Sequence, residues 1–125
     1  TGNTLGTLWQ VWTGKYIDTE ATTEYTSRQN WHVIRLADVY LMRAEASAEV
    51  LSDPSAANSD INILRSRVGM TDIDYSSTSM QDFREQILRE RAVELYMEGH
   101  RFFDLTRFGV YDEYCRFVYG DTAAD

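Results

Sequence analysis

Only one cysteine, Cys115, occurs among the 125 residues, so the chain forms no internal disulfide and offers no cysteine cluster for a metal. Set between Tyr114 and the pair Phe117 and Val118, that thiol reads as a buried structural group rather than a reactive one. Lysine is as scarce: Lys15 stands alone against eleven arginines, and 20 acidic residues bring the net charge to −8. A surface of that sign disfavours nucleic acid and anionic lipid as partners and is indifferent to an uncharged sugar. No run of eighteen apolar residues exists, and the first residues show neither a basic segment nor an apolar one of signal-peptide type. Catalytic signatures are missing as well: there is no His-Glu-x-x-His, no nucleophile elbow and no glycine-rich phosphate loop. Glu98, His100 and Asp104 lie close enough in sequence to suggest a metal site or an acid/base pair. His100, however, comes after a helix-ending glycine, and abundant carboxylates do not by themselves make a hydrolase. Asp72 and Asp74 resemble half of a calcium loop without the glycine and terminal glutamate that an EF-hand needs. The expectation is a protein without catalytic residues, cofactor or metal.

What is present is helical periodicity. Met80, Phe83, Ile87, Leu88, Ala92, Leu95 and Tyr96 recur three and four apart, which predicts a helix over 80–98 that starts on Ser79 and stops at Gly99. Its polar face stacks Glu90, Glu94 and Glu98 one turn apart, and each such pair costs an isolated helix about 0.2–0.5 kcal/mol. Two readings stay open for that row. It is either a solvated face, or an inter-helix ion network fed by Arg91, Arg101, Arg107 or an arginine of a neighbouring helix, with Asp104 capping the next segment.

Upstream, Ala37, Tyr40, Leu41, Ala44, Ala48 and Leu51 predict a helix over 36–51 whose small residues admit a second helix closely while Tyr40 and Leu41 fill the space beside them. Asp53-Pro54 then marks a new start, with Ala57, Ile61, Leu64 and Val68 inward until Gly69. The short connection makes the two helices antiparallel neighbours. Trp31 reads as a packing anchor at the helix entrance, and His32 as structural or solvent-facing. After Gly109, VYDEYCRFVYG predicts a last short helix with Val110, Tyr114, Phe117 and Val118 inward, ending in an acidic tail over 120–125.

Residues 1–30 read as extended structure and loop, with an alternating run at Leu8 to Trp12 and a polar, threonine-rich stretch after Asp18. Trp9, Trp12 and Tyr16 are the concentrated aromatics outside helices. They serve either as packing side chains or as flat surfaces for the apolar faces of sugar rings, which makes them the candidate ligand-binding residues.

Three stretches in order carry a resemblance. ILRERAVELYMEGHRFFDLTRFG strongly resembles the C-terminal signature of the SusD/RagB family of outer-membrane glycan-binding lipoproteins, NWHVIRLADVYLMRAEA its first tetratricopeptide-like helix here, and INILRSRVG the helix after it. TGKYID is similar to the lysine-containing segment that often precedes them. The resemblance implies an all-α, tetratricopeptide-like hairpin with packed helices over 31–119. It also implies that this is the C-terminal fragment of a longer protein whose lipidated N-terminus lies upstream. It further implies a non-catalytic role: binding oligosaccharide or polysaccharide at the bacterial outer-membrane surface and delivering it to a SusC-like TonB-dependent transporter. The alternative is a tetratricopeptide-like protein-protein scaffold that binds no sugar.

Overall fold

The computed structural model describes residues 14–23 and 27–120, which fall into two units divided between Trp31 and His32. Among the described residues of the second unit the regular structure is entirely helical: α1 (Leu36–Leu51), α2 (Asn58–Arg67), α3 (Met80–Glu94), α4 (Arg101–Arg107) and α5 (Tyr111–Tyr119). The alternating run at Leu8 to Trp12 lies outside the described residues.

Helix α1 buries the stripe that its spacing predicts, Ala37, Leu41, Ala44 and Ala48, each at most 6% exposed. It ends where Ser52 adopts a left-handed φ of 52° and donates its N–H to the Ala48 and Glu49 carbonyls, which satisfies acceptors that the broken ladder would strand. Leu51, expected inward, is exposed because the chain turns away beneath it. Tyr40 is only partly buried, with the Arg43 guanidinium 5.4 Å over its ring.

Asp53 caps the next element as expected, accepting from the Ser55 N–H at 2.9 Å. The first turn, Pro54–Ala57, is 3-10 rather than α, and α2 proper begins at Asn58. Ala57, Ile61 and Leu64 are buried, whereas Val68 is exposed because it caps the helix as the chain departs towards Gly69 at φ 73°. Glu94 contacts Arg35, at the start of α1, at 2.7 Å and Arg67, at the end of α2, at 2.8 Å. Those two ends therefore lie together, as an antiparallel hairpin requires.

The crossing from α2 to α3 is ordered by two asparagines one turn apart. Asn62 exchanges two 2.9 Å hydrogen bonds with the backbone of Ile73, and Asn58 accepts from the Tyr75 N–H at 3.0 Å while donating to Asp74 at 2.8 Å. This fastening drives Tyr75 into the core, where its ring meets Phe83 edge-on at 5.3 Å. Burial pushes the Tyr75 hydroxyl pKa up to about 12.

Helix α3 begins on Ser79, whose Oγ accepts from the Asp82 N–H at 3.1 Å and donates to the Asp82 carboxylate at 2.7 Å. It packs on α1 through Phe83 and Ile87, both fully buried. The helix stops at Glu94, short of the expected 98, since Met97 takes a left-handed φ of 64° and breaks the ladder. Leu95 is still buried, but Tyr96, expected on the apolar stripe, is thrown outward by the turn. The GHRFFDLTRFG stretch after it contains α4.

Helix α5 is present, but its expected inward residues are not inward. Phe117 is 88% exposed, Tyr114 and Val118 are exposed, and no residue of the helix is buried. The reason is that, among the described residues, α5 packs chiefly on α4, through an edge-on contact of Tyr111 with Phe102 at 5.2 Å and the Arg101 guanidinium over Tyr114 at 5.2 Å. Cys115 is correspondingly only half-buried.

Candidate functional site

The glutamate row is an ion network. Arg35, just before α1, places Nε 2.7 Å and Nη2 2.8 Å from the two Glu98 carboxylate oxygens, Nη1 2.7 Å from Glu94 and Nη2 2.5 Å from the Glu94 carbonyl. This fork-to-fork geometry with Glu98 is what a planar guanidinium supplies and an ammonium does not. Arg65 takes Glu90 at 2.6 Å. Arg91, 5% exposed, lies 3.0 Å from Asp38 and 2.8 Å from Asp104. The Asp104 contact is a hydrogen bond, whereas the Asp38 contact is an ion pair too bent to be one. Asp104 therefore sits inside α4 as a partner of Arg91 and does not cap the next segment.

The sequence predicts an arginine across a helix boundary, and that is found, but the partner of Glu98 is Arg35 and not Arg101, whose guanidinium donates to the Leu88 carbonyl at 3.2 Å. Glu98 is 4% exposed. A double-mutant cycle between Arg35 and Glu98, read by urea denaturation, is expected to give a coupling of about 2 kcal/mol, and coupling within error would show the pair to be incidental. With Glu98 and Asp104 both held by arginines, the Glu98, His100 and Asp104 grouping is part of the scaffold. A groove of about 500 Å³ beside α3 is lined by polar side chains such as Gln86 and Arg89 and by no aromatic ring.

The remaining candidates are the N-terminal aromatics. Trp9 and Trp12 lie outside the described residues. Tyr16 is described, at a left-handed φ of 62°, and its ring stacks on Trp31 with centroids 4.8 Å apart and planes 8° from parallel. Trp31, expected as a packing anchor at the helix entrance, is 57% exposed and stacks on a ring fifteen residues back in the chain. No periodicity links two loop residues so far apart, and no signal in the sequence pointed to this pairing.

The loop between them is closed by Asp18, whose side chain is 6% exposed. One Asp18 oxygen accepts from the Glu20 N–H at 3.0 Å, and the other accepts from the Arg28 N–H at 2.8 Å and lies 3.5 Å from its guanidinium. These bonds, the Arg28 backbone first, hold the Asp18 carboxyl below its ordinary range, so it is ionised at neutral pH. Arg28 also pairs with Glu20. The result is a tied loop carrying two parallel rings, the outer one open, beside a compensated cluster of charges. Chemically it offers a flat apolar surface on the same loop as a polar cluster, and among the described residues no group of metal-ligand side chains is present.

Comparison with known proteins agrees with the helical part. The model of the SusD family matches residues 3–122. The SusD-like protein P25 of Formosa agariphila is 40% identical over 96 residues, covering 75% of this chain and 18% of that protein. The starch-binding protein SusD of Bacteroides thetaiotaomicron is 40% identical over 80 residues, 63% of this chain and 13% of its own length. The SusD-like protein P2 of Formosa agariphila is 34% identical over 93 residues, with 70% and 18% covered. The chain thus spans less than a fifth of the length of these curated relatives. No solved structure matches it. With the helical hairpin, the arginine-held glutamate row and a match along nearly its whole length, the chain belongs to the SusD/RagB family.

Proposed function

We propose that this chain is the C-terminal part of a bacterial outer-membrane surface lipoprotein that captures oligosaccharide or polysaccharide without cleaving it and passes it to a SusC-like TonB-dependent transporter. The observation that carries the reading is the Tyr16 and Trp31 stack, an exposed aromatic surface on a tied loop, of the kind on which the apolar face of a pyranose ring sits. Family membership supports it, and so does the name of one relative, a starch-binding protein. Trp9 and Trp12 are proposed, with Tyr16, as ligand-contacting residues. Among the described residues no helix is long and apolar enough to cross a membrane. Membrane attachment is proposed to come from a lipid anchor upstream, as the family resemblance implies. The scaffold reading is favoured by one feature, the exposed aromatic side chains of Phe103 on α4 and Phe117 on α5.

Native gels containing polysaccharide separate the readings. The full-length natural protein is expected to be retarded by at least one polysaccharide and to release no reducing ends from it, while copurifying with a large outer-membrane barrel. Retardation by none, with copurification of other proteins alone, would favour the scaffold. Released reducing ends would indicate an enzyme and contradict the proposal.

A further inference from the structure

We propose, resting on the glycan-capture reading, that the Tyr16 and Trp31 platform accepts uncharged saccharides and discriminates against carboxylated and sulfated ones. Binding sulfate or uronate oxygens tightly takes a free guanidinium or ammonium, because charge-assisted hydrogen bonds are the strong ones at such groups. The loop has one guanidinium, and it is engaged. Arg28 lies 3.5 Å from the buried Asp18 carboxylate and closer still to Glu20, and these two acids hold it firmly protonated and locally neutralised. Lys15, the single lysine of the chain, is likewise not free.

The same economy of cations runs through the second unit. Arg35, Arg43, Arg65, Arg67, Arg84, Arg91 and Arg107 each hold a carboxylate, and Arg101 is turned onto a backbone carbonyl and a tyrosine ring. Of eleven arginines, only Arg89 and Arg116 are left without a partner among the described residues, against a net charge of −8. A polyanion arriving at the loop has to displace Glu20 from Arg28 before it finds a cation. A neutral pyranose meets no such obstacle, because its C–H face needs only the exposed ring.

The test uses the full-length natural protein and a panel of neutral polysaccharides (a starch glucan, a galactan, a mannan), each run beside its own chemically sulfated derivative in retardation gels at low and high salt. The expected result is retardation by a neutral member that is insensitive to salt and at least tenfold weaker retardation by its sulfated partner. Glu20→Lys, a substitution at an exposed side chain, removes one of the two acids that hold Arg28 and adds a cation. It is expected to raise the sulfated-to-neutral affinity ratio about tenfold at low salt, with the gain lost at high salt. Equal or tighter binding of the sulfated form by the natural protein would overturn the proposal, as would a ratio unmoved by Glu20→Lys. Retardation by no member of the panel, neutral or sulfated, would instead remove the capture reading on which the proposal stands.

Discussion

Replacing Arg91 with methionine is expected to destabilise the protein by about 3–5 kcal/mol, the range for removing one partner of a buried ion pair. Arg91, Asp38 and Asp104 each have side chains 5% exposed, so a neutral residue of similar length leaves two carboxylates in a space that water barely reaches. The two are not equally stranded. Asp104 keeps Arg107 at 3.2 Å, whereas among the described residues no other arginine pairs with the Asp38 carboxylate, so most of the loss falls on the α1 side. Adding Asp38→Asn to Arg91→Met should therefore recover more stability than adding Asp104→Asn. Urea denaturation of the single and double variants measures this, and a loss below about 1 kcal/mol for Arg91→Met would mean that the triad is not a structural centre.

Phe83→Ala is expected to cost about 3–5 kcal/mol, as truncating a fully enclosed aromatic does. Phe83 is 0% exposed and stands where α3 meets α1 and the Tyr75 ring, so its removal also undoes the edge-on contact that seats the crossing. Tyr40 makes an instructive contrast. On spacing alone it belongs to the buried stripe of α1, but it lies at the rim beneath Arg43, and Tyr40→Ala should cost only about 1 kcal/mol. Thermal or urea unfolding of the two variants tests the ranking, and an equal loss at both positions would place the core elsewhere.

These two sites show which parts of the fold were legible in the sequence. Alanine and leucine spacing placed α1 at its observed bounds, because a helix that buries a continuous stripe must repeat it. Ser79 and Asp53 were legible as caps, because a short oxygen side chain ahead of an apolar period has few other uses. The ends of elements were less so. Met97 takes a left-handed φ without being a glycine, held where Glu98 meets Arg35, and no local preference announces that. Nothing in the apolar spacing singles out Asn58 and Asn62, and only the path of the crossing shows them binding its backbone.

The ion network explains why three separate stretches carried the family resemblance together. Arg35, Arg65 with Arg67, and Arg91 with Glu94 and Glu98 come one from each stretch, and they meet in space. The helix α5 was placed correctly, but its expected inward face is exposed for the converse reason: periodicity tells which residues share a face, not whether anything covers it. At the candidate site Tyr16 was legible as an aromatic in a loop, while Trp31 was assigned to packing because its stacking partner is remote in sequence.

The most direct test of glycan capture at this platform is retardation of the full-length natural protein in a neutral polysaccharide gel, natural sequence against Trp31→Ala, with circular dichroism to confirm that the helices are retained. Loss of one ring that stacks on a sugar should weaken binding about tenfold. Retardation by the Trp31→Ala protein equal to that of the natural protein, with the helices intact, would contradict the assignment of this loop as the binding surface.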